Sequence, residues 1–108
     1  MEEKIKKAFT NWRAGAFYLK FPNGNELSTT FAAGSYSDNN RNYENLIGSW
    51  EKIFEDQPVE SNTVEIMILK CPEKLSKKIH KKYGYGDNSV IGYLDIQKWL
   101  EIVALLSK

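Results

Sequence analysis

One hundred and eight residues, 42% hydrophobic and 27% charged, suit one soluble globular domain over residues 1–108 and exclude a disordered or collagen-like chain. Fifteen Lys and Arg against fourteen Asp and Glu leave a formal charge of +1, which argues against both a dedicated nucleic-acid binder and an acidic nucleic-acid mimic. The lone Cys71 excludes a disulfide within the chain, the charged start MEEKIKK is no signal peptide, and no apolar run approaches the ~20 residues of a membrane span, so a cytoplasmic protein without a membrane partner is expected.

In chain order, Ile5, Ala8, Phe9 and Trp12 recur at helical spacing and predict a short amphipathic helix over residues 2–13, with Glu2 and Glu3 at its favourable end. Phe17, Leu19 and Phe21 then alternate with Ala16, Tyr18 and Lys20, as in a strand with one buried face. Pro22-Asn23-Gly24 suits a three-residue turn with glycine in the left-handed position, which pairs Phe21 with Asn25, Leu19 with Leu27 and Phe17 with Thr29. That register puts the apolar residues of both strands on one face. The chain is polar from Gly34 to Asn42.

Tyr43, Leu46, Ile47, Trp50, Ile53 and Phe54 predict a second helix, ended by Asp56 and Pro58. TVEIMILK, residues 63–70, predicts a strand apolar on both faces, which belongs in the middle of a sheet or under helices. Pro72 opens a third helix with Leu75, Ile79 and Tyr83 inward and Gly84 as its stop. SVIGY, residues 89–93, predicts a short fourth strand, and Asp95 caps a last helix carrying Ile96, Trp99, Leu100, Val103 and Leu106 on one side. The expected order is α-β-β-α-β-α-β-α. This is an α+β fold with helices packed on a small, largely antiparallel sheet made of the hairpin, the central strand and the short fourth strand.

Catalytic chemistry finds little support. The only histidine, His80, lies among the lysines of KLSKKIHKK, and a triad or zinc site needs more His and Cys than the chain has. Glu44 and Glu51 are the one nominated carboxylate pair, yet the surrounding sequence is that of a wet helix surface. Cys71, at the end of an apolar strand, reads as a small buried hydrophobe. Asp38 to Asn42 resembles the start of a calcium loop, but Tyr43 and Ser49 stand where an EF-hand needs glycine and a bidentate glutamate. Gly84-Tyr85-Gly86 forms no phosphate cradle. No enzyme activity, cofactor or resident metal is expected.

Two surfaces stand out as binding candidates. On the third helix Lys74, Lys77, Lys78, Lys81 and Lys82 fall within about 140° of arc, beside the apolar stripe. Such a face keeps a protein soluble, or attracts an acidic protein partner, or phosphates; without arginine or interleaved aromatics on that helix, nucleic acid ranks last. The other surface is the loop after the hairpin, where Tyr36, Ser37, Asn39 and Arg41 have the composition of recognition loops. Asp38 and the asparagines could equally satisfy backbone groups in tight turns.

The segment FPNGNELSTTFAAGSYSDN resembles a group of small uncharacterised proteins of phages and other mobile elements. These carry an F-x-N-G turn, a serine-bearing second strand and Gly-x-Tyr-Ser/Cys-x-Asn, then a V-E-I strand and V-x-G-Y/W before a C-terminal helix. The matching residues are Phe21, Asn23, Gly24, Ser28, Gly34, Tyr36, Ser37 and Asn39, then Val64-Glu65-Ile66, and Val90, Gly92 and Tyr93. The likeness spans roughly residues 17–107 but leaves the first helix, the second helix and the lysine helix without counterparts. It implies no activity. What it implies is a genomic setting in which small proteins are often inhibitors of host defence machinery. The expectation is thus a non-enzymatic binder of a protein target, with an immunity protein against a toxin, or a nucleic-acid or phosphate binder using the lysine helix, as alternatives.

Overall fold

The computed structural model describes residues 8–12, 15–41, 58–84 and 89–108. They form a small α+β fold of two antiparallel sheets and two helices. In chain order these are β1 (Phe9–Trp12), β2 (Ala16–Lys20), β3 (Glu26–Thr30), β4 (Pro58–Ser61), β5 (Val64–Lys70), α1 (Glu73–Tyr83), β6 (Val90–Leu94) and α2 (Ile96–Leu106).

The larger sheet has the order β2-β3-β5-β6, built from the hairpin, the central strand and the fourth strand that the hydrophobic pattern marks. Phe17 pairs with Thr29 and Leu19 with Leu27. The turn closes with Phe21 N–H donating to Asn25 O at 2.9 Å and Gly24 N–H to Phe21 O at 2.9 Å, and Gly24 adopts φ +94°. A side chain there would be forced into the left-handed region, so glycine is what lets the turn hold this register.

The turn's asparagines have a second role that the local sequence does not betray. Asn23 and Asn25 Nδ2 both donate to Leu106 O, at 2.8 and 2.7 Å, and Asn23 also reaches Lys108 O at 2.7 Å. The last turn of a helix leaves carbonyls without intrahelical donors. The hairpin tip supplies them and thereby fixes where α2 ends against the sheet.

One face of the larger sheet carries the core. Leu27, Val64, Ile66 and Ile91 from the strands are buried in one cluster with Ile79 of α1 and with Ile102 and Leu106 of α2. Trp99 is the pivot: its ring meets Phe17 and Phe9 edge-on, with centroids 6.1 and 5.6 Å apart, and its Nε1–H donates to the buried Thr29 Oγ1 at 3.1 Å. An indole packed this far into the core needs such a partner for its N–H, even though Trp99 is only partly buried. The other face bears Tyr18, Met67 and Leu69, all exposed. β5 is interior to the sheet as expected, but its second apolar face is not covered.

Several expectations are corrected. Residues 9–12 are a strand and not part of a helix, because Phe9 to Trp12 pair with Ser61 to Pro58 and Phe9 is buried against Phe31 and Trp99. β4 replaces the simple helix exit expected at Pro58 and makes the smaller sheet with β1. The second helix, expected over residues 43–54, lies outside the described residues. Helix α1 follows Pro72 and stops at Gly84, whose backbone is extended and not left-handed (φ −94°). Asp95 caps α2 as expected, its carboxylate accepting from Lys98 N–H at 2.9 Å. The buried stripe of α2 is rotated, however: Ile102 and Leu106 are inside, while Ile96 and Leu100 are exposed. No described helix is long and apolar enough to cross a membrane.

Candidate functional site

The loop after β3 is a hydrogen-bonded knot. Ser35 N–H and Oγ–H both donate to Ala32 O, Gly34 N–H donates to Asn40 O, and Asn40 N–H returns to Ser37 O. Ser35 and Ser37 share a hydroxyl contact of 2.7 Å, and Asn40 Nδ2 donates to Ser35 O at 2.8 Å. Asn39 Nδ2 reaches two carbonyls, Phe31 O at 2.7 Å and Glu60 O at 2.8 Å, joining the loop to β4. Asp38 ties it to the β4–β5 turn: its N–H donates to Thr63 Oγ1, whose hydroxyl returns to Asp38 Oδ1, each at 2.9 Å.

This chemistry divides the four loop residues expected to touch a partner. Ser37 is 1% exposed and Asn39 4%, and both are spent on internal hydrogen bonds. Tyr36 and Arg41 are exposed. The serines and asparagines are therefore a frame, and Tyr36, half exposed at 50%, is what the frame presents.

Tyr36 is held against the larger sheet by its own backbone. Its N–H donates to Glu65 Oε1 at 2.9 Å, and its carbonyl accepts from Tyr93 N–H at 2.8 Å. The contact falls on a β-bulge: Val64 pairs with Leu94 and Ile66 with Ile91, so Gly92 and Tyr93 together oppose Glu65. A Cβ on Gly92 would lie 2.5 Å from Tyr36 Cβ, so only glycine admits the loop this close. Tyr93 takes φ +53°, a left-handed conformation that costs a non-glycine residue about 1–2 kcal/mol. Its ring, 49% exposed, pairs with that of Tyr36 at 6.4 Å and a 31° tilt. A bulky residue kept in a strained conformation at the surface points to a use for its side chain.

The lysine helix borders the same site. Lys74, Lys77, Lys78, Lys81 and Lys82 are all exposed on α1. Lys77 pairs with Glu73 at 3.1 Å, one turn back along the helix. Lys82 lies 5.3 Å over the Tyr83 ring and lines a groove of about 460 Å³ together with Tyr93, Leu94, Lys98 and Glu101. Lys78 lies away from it, in a smaller groove with Asn23, Asn25 and Leu75. The structure thus brings Tyr36 and Lys82 to one surface through Tyr93, and leaves Lys74, Lys77, Lys78 and Lys81 outside the groove. Glu65 and Tyr93 enter the sequence reading only as residues of the resemblance and not as site residues, and Lys98 does not enter it at all. A local signal for the site is Gly92 inside a strand, a mark of a bulge or a close backbone approach.

The remaining chemical candidates have structural occupations. His80 Nδ1–H donates to Ser76 O at 2.8 Å. The Cys71 thiol is pushed above its usual pKa by burial, partly offset by hydrogen bonds to Ser76, which makes it a poor nucleophile. Both oxygens of the Asp38 carboxylate accept hydrogen bonds, from Thr63 Oγ1 and from Asn62 N–H. Glu44 and Glu51 lie outside the described residues, among which no three His, Cys, Asp or Glu side chains gather as a metal site.

Comparison with protein-family models, curated proteins and solved structures finds no match for this chain. Its own geometry nevertheless connects the motif residues to one another. Gly34, Ser37 and Asn39 shape the loop, Glu65 and Tyr93 dock it, Gly92 makes room for Tyr36, and Asn23 closes α2.

Proposed function

We propose that this chain is a non-enzymatic protein-binding module that acts stoichiometrically on a protein target, as a phage or mobile-element inhibitor of a host defence protein. The observation that carries the reading is the pair of half-exposed tyrosine rings, Tyr36 and Tyr93, mounted on a loop and a bulge that are fixed by buried hydrogen bonds. Tyrosine is enriched among the residues that dominate protein interfaces, and rigid mounting lowers the entropy lost on binding. Tyr18, Met67 and Leu69 add exposed apolar surface of the kind that interface cores favour. The resemblance to small mobile-element proteins supplies the defence setting.

The test places a photo-crosslinking phenylalanine analogue at position 36 in cells that restrict an infecting phage. One discrete protein adduct of one-to-one mass is expected, and production of the unmodified chain should raise plaque counts. Tyr93→Asn should lose both effects while melting within about 5 °C of the parent, since asparagine tolerates the left-handed conformation. No adduct, or adducts to nucleic acid alone, overturns the reading.

A further inference from the structure

We infer that the open edge of the larger sheet, strand β2, pairs with β2 of a second copy of this chain about a twofold axis at Tyr18, with the two α2 helices packed side by side above it. The inference is independent of the protein-target reading. The two edges of the sheet differ. β6 is bulged, and its Tyr93 N–H already donates to Tyr36 O. Strand β2 has β3 as its one strand neighbour among the described residues, and its register runs without a shift. Its sequence AFYLK holds neither proline nor an inner charge, two of the devices that keep a sheet edge from pairing.

The backbone of β2 is self-complementary at this register. Phe31 N–H donates to Gly15 O at 2.7 Å and Phe21 N–H to Asn25 O at 2.9 Å, at the two ends of the β2–β3 ladder. Antiparallel pairs alternate, so Phe17 and Leu19 also turn their backbone groups to β3, while Ala16, Tyr18 and Lys20 turn theirs outward. All three outward residues are exposed. A second β2 centred on Tyr18 sets Tyr18 across from Tyr18 and Ala16 across from Lys20, so every outward N–H and C=O gains a partner. Phe17 then faces Leu19 on the core side, where each is only partly buried in the single chain. On the other side no like charges stand opposite. Each Lys20 lies diagonally beside the Tyr18 ring of the second copy, which is 72% exposed and open to a cation.

The apolar residues that α2 leaves outside point to the same edge. Trp99 meets Phe17 of β2 and bonds to Thr29 of β3, so α2 lies over these two strands, and its far flank bonds to α1 through Glu101. At about 100° per residue, Ile96 and Val103 lie within roughly 60° of Trp99 and away from Glu101, with Leu100 on their outer side. Ile96 and Leu100 are exposed. Pairing about Tyr18 keeps both core faces on one side of the continued sheet. A helix centred over β2 and β3 then stands two strand spacings, about 9.5 Å, from its copy, within the roughly 8–10 Å of packed helices. Ile96, Leu100 and Val103 fill that seam. A strand and one helix flank from each copy fall short of the roughly 20–30 residues a side of a standard interface, which makes the dimer a reversible one. Tyr36 and Tyr93, at the opposite edge, stay open in it.

Sedimentation equilibrium of the full chain from roughly 10 µM to 1 mM should show its mass rise from 12.5 kDa toward twice that value. Over the same range the amide hydrogens of Ala16, Tyr18 and Lys20 should exchange roughly tenfold more slowly at the upper end, whereas Phe17 and Leu19, bonded to β3 in the single chain, are protected throughout. Tyr18→Pro removes an outward donor and none of the β2–β3 bonds, so the variant should fold and stay at the single-chain mass. Leu100→Lys serves if the proline variant does not fold, and should weaken association roughly tenfold by setting two like charges in the seam. A mass that stays single at every concentration, which leaves the edge to a strand of another protein, overturns the inference. So does growth past a dimer, association of Leu100→Lys equal to the parent's, or a dimer whose Ala16, Tyr18 and Lys20 amides exchange as freely as in the single chain.

Discussion

A buried carbonyl left without a donor costs about 1–3 kcal/mol, and the loop after β3 brings the buried carbonyl of Phe31 and the part-buried one of Glu60 to a single amide nitrogen. Asn39→Ala should therefore lose about 2–4 kcal/mol, read as a lower urea midpoint at unchanged slope. Asn39→Asp should do no better, since a carboxylate of the same shape has no hydrogen to give to either carbonyl. A loss of less than ~0.5 kcal/mol for alanine would show that the tie does not hold the loop. The sequence SYSDNN could not announce this. Asparagine and serine serve both turns and contact surfaces, and the choice depends on whether a distant strand, here β4, brings a carbonyl within reach. Tyr36 is exposed as its place in the loop suggested, whereas Ser37 and Asn39 turn inward.

At the scale of elements, legibility follows whether the signals are local. The β2–β3 register could be read because turn chemistry and alternation independently require it, and α2 because Asp95 is a local cap. β1 could not: Phe9 and Trp12 satisfy helical spacing as well as a short strand, and what selects the strand is pairing with β4 about fifty residues away. β4 offers only four residues headed by proline, too few to show a period. The bulge in β6 is the element on which the candidate site turns, and Gly92 is its weak point. Gly92→Ala sets a methyl 2.5 Å from Tyr36 Cβ, with the Tyr36 carbonyl 3.1 Å away, so the loop must lift. The expected cost is about 1–3 kcal/mol. The same variant should move the amide resonances of Tyr36, Glu65 and Tyr93 together, because Tyr36 bonds to both other residues. Movement confined to position 92 would mean that the loop and the bulge are not coupled.

Across the whole molecule, the two helices meet on one face of the sheet, and the Tyr83–Glu101 hydrogen bond joins them beside the groove. That bond, more than burial, holds the Tyr83 phenol above its usual pKa of 10.0, because ionisation would place a phenolate against a carboxylate. The folded chain thus keeps this proton longer than the unfolded chain does. Its contribution to stability is complete below pH ~10 and is lost as pH rises through the folded value. Cys71, raised above 9.0 chiefly by burial, acts in the same direction from slightly lower pH, so the phenol is best isolated in a Cys71→Ala background. There, urea denaturation followed from pH 8 to 11 should show stability falling on the alkaline side. Adding Tyr83→Phe should lower stability at pH 8, where the bond is intact, and flatten the alkaline fall, so that the two curves converge as the phenol ionises. Parallel curves across that range would mean that the bond does not tie α1 to α2.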